Sequence, residues 1–236
     1  MSGSAAQMPP SALPVGVTPA ELTTAYPVLY HMAAEGSWPS IRRHGLLSTS
    51  SLLSLFAVEG EARAEIESAH RPASIVIRHP RHGTAVVRDQ IPMRDADLER
   101  CLKDGLTPRE WYEALNAKVF FWLTIERLET FLGARAYRDR RHTVLVLDSR
   151  ALIQDYAALI SLSPMNSGTT RPIAHPRGRQ TFLPLSRFPF KERRKRFRAG
   201  AVVELAVSRG VERVDRYVIE VRDRAAGEAG EVIWTR

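Results

Sequence analysis

The chain has 236 residues, 44% of them hydrophobic and 25% charged, which is enough for one well-formed core and too apolar for wholesale disorder. Its single cysteine, Cys101, excludes an internal disulfide framework and most zinc-site patterns. With 34 basic and 26 acidic residues the formal net charge is +8, a bias towards anionic partners such as nucleic acid, a dinucleotide or an acidic surface.

Met1 to Pro14 lack the basic start and apolar centre of a secretory signal. No apolar run approaches the roughly 18 residues of a membrane span. The expectation is a cytoplasmic protein with a loose tail over residues 1–17, one domain over 18–236, and no membrane partner. Thr18-Pro19-Ala20-Glu21 has the form of a capping box and opens a short helix. Val28 to Met32 reads as a strand. Ser37 is placed to N-cap a helix that Gly45 stops. Ser51 to Ser68 predicts a longer helix. Ser74 to Ile77 predicts a strand broken at His79-Pro80, and Ala85 to Val87 predicts strand character running into Arg88-Asp89-Gln90. A helix starts at Asp95 and ends at Gly105, with Cys101 on one face. Thr107-Pro108-Arg109-Glu110 is a second capping box, opening a helix through Asn116. Lys118 to Leu123 is bulky and apolar on both faces, so it predicts a buried strand. Thr124 caps a helix ended by Gly133, Thr143 to Asp148 is a buried strand, and Ser149 to Leu159 is a helix. Ser161 to Pro189 is rich in Pro, Gly and Ser and predicts a long loop, a kind of segment that often carries function. Ala201 to Val207 and Arg216 to Val221 predict the last strands. Helices and strands mix without a βαβ rhythm, so the fold class is α+β.

Three features carry chemistry. In a strand, Val202, Glu204 and Ala206 share one face. A carboxylate among small apolar neighbours is costly unless exposed or paired, so Glu204 is either a water-facing residue of an edge strand or a carboxylate held at a cleft. His31 ends a short apolar strand, as a satisfied structural histidine or as a hydrogen-bond donor to a sugar hydroxyl or phosphate. Lys191 to Arg198 holds six basic residues in eight, flanked by Phe188, Phe190 and Phe197. It is either a solvated face or a phosphate-tracking surface, in which Lys191, Arg193, Arg194, Lys195 and Arg196 follow a nucleic-acid backbone and Phe197 stacks on a base. The seven histidines form no convincing metal spacing; His79 and His82 merely flank a turn. No metal is expected.

Tyr30-His31-Met32, Trp38-Pro39-Ser40-Ile41 and His44-Gly45-Leu46-Leu47-Ser48 together resemble the opening of the DarT-type ADP-ribosyltransferases. Val203-Glu204-Leu205-Ala206-Val207, followed by Gly210-Val211, is similar to that family's catalytic-glutamate strand. The resemblance covers these two segments. It implies an ADP-ribosyltransferase-like fold of mixed sheets with flanking helices and NAD as co-substrate. His31 would contact the ribose of the nicotinamide half. Glu204 would bind the same ribose and stabilise its oxocarbenium-like transition state, an electrostatic effect worth several kcal/mol. Arg88 is the candidate for the family's catalytic arginine, and Phe121 or Trp122 for stacking on nicotinamide. Ser37 stands where the family carries Asn, and Ala33 where it carries a small polar residue. The expected function is a toxin-like, NAD-dependent ADP-ribosyltransferase with DNA or RNA favoured over protein as acceptor, and with an antitoxin or hydrolase as a further partner. The alternatives are an NAD-using RNA 2′-phosphotransferase, with Arg42, Arg43 and His44 gripping a phosphate, and an inactive relative that only binds nucleic acid.

Overall fold

Thr18 caps α1 (Pro19–Ala25) through a complete capping box with Glu21. The computed structural model describes residues 16–236, so residues 1–15 of the tail expected over 1–17 lie outside the described residues. Val17 already belongs to the core, its N–H bonded to the carbonyl of Leu185 at 2.8 Å.

The fold is α+β, with helices flanking a large antiparallel sheet. Its strands are β1 (Val28–Ala34), β5 (Lys118–Trp122), β6 (His142–Asp148), β7 (Ile160–Ser163), β8 (Leu183–Pro184), β9 (Glu204–Ser208), β11 (Val218–Arg224) and β12 (Glu231–Thr235), in the spatial order β12-β11-β6-β1-β5-β9-β7-β8. Two small antiparallel pairs complete the sheets: β2 (Leu46–Leu47) with β10 (Gly210–Val211), and the hairpin β3 (Ile75–His79) with β4 (Gly83–Val87).

The large sheet is not evenly stitched. β1 pairs with β6 without a break from Val28↔Asp148 to Ala34↔His142, and β5 pairs with β9 from Lys118↔Ser208 to Trp122↔Glu204. Between β1 and β5 the register contains the single pair Tyr30↔Trp122. The sheet is therefore two half-sheets joined at one point. Leu29, Leu145, Leu147, Phe121, Leu205 and Val207 form the centre of the main core.

Several expectations need correction. The helix expected over Ser51 to Ser68 is two helices, α3 (Thr49–Leu55) and α4 (Gly60–Glu67). Ala57 (φ 53°) and Gly60 (φ 60°) turn left-handed between them, and the buried Phe56 anchors the break. β4 stops at Val87, so Arg88 starts a loop and does not continue the strand. α5 (Asp95–Cys101) ends before Gly105, while α6 (Pro108–Asn116), α7 (Ile125–Leu132) and α8 (Ser149–Tyr156) lie close to where they were expected. The loop expected from Ser161 begins inside β7, whose four residues are too few to show periodicity. The basic run forms a helix, α9 (Phe190–Phe197), and β12 follows the strand expected to be the last. Gly45 does end α2 (Trp38–His44): it sits at φ 89°, with the carbonyl oxygen of Val211 2.9 Å from where a Cβ would stand. Among the described residues no helix is long and apolar enough to cross a membrane.

Candidate functional site

Past Tyr30↔Trp122, an unbroken ladder would set Met32 against Phe120 and Ala34 against Lys118. A cavity of about 540 Å³ occupies that gap instead, a size suited to a small-molecule ligand. β1 contributes His31 to Ala34, β5 contributes Lys118 to Phe120 and Trp122, and Glu204 closes one side. Tyr30, Trp122 and Glu204 lie abreast on neighbouring strands, so the backbones at Tyr30 and Glu204 are roughly 10 Å apart, two strand spacings.

Opening a ladder strands carbonyl groups, and a buried carbonyl without a partner costs about 1–3 kcal/mol. Two of the candidate residues fill this need. His31 bonds the carbonyl of Phe120 through Nδ1 at 2.8 Å. Arg88 donates from Nη1 to the carbonyl of Met32 at 3.2 Å. A carbonyl only accepts, so Nδ1 of His31 carries the hydrogen. Burial, opposed by the Phe120 bond and aided by the Arg88 charge, pushes the His31 pKa down to about 4. The ring is therefore neutral at pH 7, and Nε2 is an acceptor. This corrects the expected role: His31 can accept from a hydroxyl, but it cannot donate to a phosphate in this tautomer.

Glu204 is the first residue of β9, which lies between β5 and β7, so the edge-strand reading fails. Only 3% of it is exposed. Its Oε2 accepts from the backbone N–H of Ser167 at 3.0 Å and from the Ser167 hydroxyl at 2.6 Å; Oε1 has no hydrogen-bond partner among the described residues. Burial raises its pKa to about 7, against the lowering effects of the Ser167 bonds, Arg177 and Arg127. Arg177, itself buried, donates to the carbonyls of Ser167 (3.0 Å) and His175 (3.1 Å) and so fixes the loop that holds Glu204.

Arg88 lines the cavity, its guanidinium 5.0 Å from the centre of the Tyr137 ring. The Tyr137 hydroxyl donates to Asp89 at 2.8 Å. Arg71 lines the cavity beneath Arg88 and donates to the carbonyls of Arg88 and Ile66 and to Asn116. Burial lowers its pKa only to about 10, so it remains a cation at pH 7.

Ser37 occupies the N-cap position of α2 but makes no capping bond, and it lines the cavity. Trp122 lines it too, packed on Phe131 with ring centres 5.3 Å apart. Phe121 does not: it is fully buried in the main core, because alternate residues of β5 point to opposite faces. Phe120 lines the cavity in its place. No residue of α9 lines the cavity. Arg193 is spent on the carbonyls of Ala201 (2.6 Å) and Pro164 (3.3 Å), which removes it from the expected phosphate contacts. Lys191 faces Glu21 at 3.4 Å. Phe188 and Phe190 are buried, and Phe197 is 43% exposed between Arg193 and Arg196. Arg194, Lys195 and Arg196 are exposed and join no ion pair among the described residues.

Sequence reasoning missed Ser167, Arg71 and Tyr137. The Pro/Gly/Ser-rich stretch did mark the region of Ser167. No local pattern links Arg71 or Tyr137 to residues far along the chain.

The family model described as "Family of unknown function (DUF7002)" matches residues 27–218, and the chain belongs to that family. No curated protein and no solved structure matches it.

Proposed function

We propose that this member of the DUF7002 family is an NAD-dependent ADP-ribosyltransferase that modifies nucleic acid in the cytoplasm. One observation carries the reading: His31 and Glu204, from opposite sides of the open seam, line one cavity with Arg88 beside them. The chemistry of the lining suits a dinucleotide. Arg88 offers positive charge for its phosphates, and the buried Arg71, its donors spent on Arg88, Ile66 and Asn116, adds only its field. Neutral His31 offers an acceptor to a ribose hydroxyl, and Trp122 and Phe120 offer aromatic faces to the nicotinamide. NAD supplies a ribose whose bond to nicotinamide can break. The bonding pair leaves with nicotinamide, which becomes neutral, while positive charge builds on the ribose. The Glu204 carboxylate, ionised and fixed by Ser167, opposes that charge without reorganising. The acceptor's nucleophilic atom would then bond the anomeric carbon and give up its proton to solvent.

Incubation with labelled NAD and DNA or RNA tests this. Label should appear on nucleic acid with release of nicotinamide. Label consumption only with 2′-phosphorylated RNA would indicate a phosphotransferase, and no turnover would indicate a binding protein. Because the raised pKa of Glu204 lies at about 7, the carboxylate is depleted below that pH. The value of kcat/KM should rise between pH 6 and 8 and then level. A flat profile across this range removes Glu204 ionisation from the mechanism.

α9 supports the choice of nucleic acid. Three exposed cations that join no ion pair among the described residues, Arg194, Lys195 and Arg196, precede a half-exposed Phe197 just before the Glu204 strand. Single-stranded DNA binding should weaken with salt, and replacing these three by Ala should flatten the log–log slope by about two units. NAD affinity should stay unchanged. Equal slopes would redirect the acceptor search to proteins or small molecules.

A further inference from the structure

At the tip of the β3–β4 hairpin, five basic side chains from two elements meet with no acid among them. α2 supplies Arg43 and His44; the hairpin supplies His79, Arg81 and His82. The His79 and His82 rings stack with centres 4.6 Å apart, and the His44 and His82 rings lie 5.2 Å apart, edge to face. All three imidazoles rest against one buried ring, Phe56, at 5.9–6.3 Å. Arg43 donates to the Arg81 carbonyl at 3.1 Å, and His44 Nε2 donates to the His82 carbonyl at 3.1 Å. These bonds lock the tip against α2. Among the described residues, Arg42, Arg43, Arg78, Arg81 and the three histidines join no ion pair. A hairpin turn does not require such an arrangement, because like charges at this range repel.

We propose that this cluster is a binding site for a phosphate group, placed at the mouth of the cavity and separate from the residues that would hold NAD within it. The inference does not depend on the transferase reading. His44 connects the two places: it lines the cavity, and its ring meets His82. The available donors suit a phosphate. His79 Nδ1 accepts from the Arg81 backbone N–H at 3.2 Å, so the neutral ring keeps its hydrogen on Nε2 and offers it outward. The His82 ring and the Arg81 guanidinium have no hydrogen-bond partners among the described residues. The apolar Phe56 floor strengthens any charge pairing above it. The arrangement does not suit a metal: no group of three or more His, Cys, Asp or Glu among the described residues could hold one. His82 is held below its ordinary pKa, first by desolvation and then by the positive charges of His79, His44, Arg43 and Arg81. An anion would reverse the electrostatic part of that shift, so binding should take up protons and tighten as pH falls.

The test follows the histidine ring resonances by NMR during titration with inorganic phosphate at constant ionic strength. The His79 and His82 resonances should shift, the apparent pKa of His82 should rise, and affinity counted per phosphate dianion, whose own protonation falls in this range, should be severalfold greater at pH 6 than at pH 7. The double variant Arg43→Gln/Arg81→Gln should bind phosphate about tenfold or more weakly, the loss expected for charge-assisted hydrogen bonds. Both residues are exposed and neither lines the cavity, so NAD binding should be unaffected. His82→Gln provides a second, milder variant. No shift at tens of millimolar phosphate, or equal shifts in wild type and double variant, would overturn the site. Two further ligands identify the source of the phosphate. Selective weakening of a 2′-phosphorylated dinucleotide, with NAD unaffected, points to a monoester on the co-substrate. Selective weakening of a single-stranded oligonucleotide points to the acceptor backbone, and weakening of inorganic phosphate alone points to the free ion.

Discussion

Glu204→Gln is expected to lower NAD cleavage by about 10²–10³-fold, the usual cost of losing one preorganised electrostatic stabiliser, and at the same time to make the protein more stable at pH 8. The two effects share a cause. The carboxyl is buried and its pKa is raised from 4.5 to about 7. A raised carboxyl favours the folded state only while protonated. That contribution is fully present below pH 4.5 and is lost progressively as pH rises through 7. At pH 8 the folded protein carries a buried anion at a cost of about 3 kcal/mol relative to the unfolded chain. Gln has no charge to bury, and its side-chain oxygen can accept both Ser167 bonds. Urea unfolding should show the variant more stable by about 3 kcal/mol at pH 8, with the gap under about 1 kcal/mol near pH 5. A gap that does not change with pH would contradict the burial argument. Full activity with intact NAD affinity would remove Glu204 from the chemistry.

Phe121→Ala is expected to destabilise the fold by about 3–5 kcal/mol, the range for emptying a buried aromatic site, and to reach the cavity only through the His31 ring, whose centre lies 5.7 Å from that of Phe121. Phe121 is fully buried between the half-sheets' core residues. Phe120 is half-buried and lines the cavity. Phe120→Ala should cost less stability and more NAD affinity. Unfolding curves and NAD titrations on the two variants separate these roles, and the reverse pattern would mean that the strand's pleat has been assigned the wrong way round.

That pair also shows what the sequence could and could not convey. Lys118 to Trp122 reads as a strand at sight, but its residues are apolar on both faces, so nothing in the pattern says which face meets the cavity. Glu204 was legible as an anomaly, because a lone carboxylate in an apolar strand requires an explanation. Its burial was not, since that depends on β7, four residues long and without visible periodicity, lying beyond it in the sheet. The capping boxes at Thr18 and Thr107 were fully legible, because a cap is a local contract between residues three apart. Ser37 has the right residue type at the right position and makes no cap; its backbone stands at φ −75°, ψ −14°, outside the extended geometry usual for a capping residue. The His44–His79–His82 cluster joins segments whose contact no local pattern encodes.

The single pair joining β1 to β5 has a further consequence, for solubility. An unpaired strand edge is a template on which another chain can assemble, and proteins ordinarily suppress it at the margins of a sheet. At one margin the outer strand β8 is two residues long and ends in Pro184, which cannot donate to a neighbour; at the other, β12 leaves Val232 and Ile233 exposed. The two edges created where the sheet parts lie inside the molecule, behind α2 and the Asn166–Gly168 loop. The Phe120 and Met32 carbonyls there are already bonded by His31 and Arg88, which opposes pairing with an added strand. The aggregation hazard of the large sheet therefore sits at β12 and not at the seam.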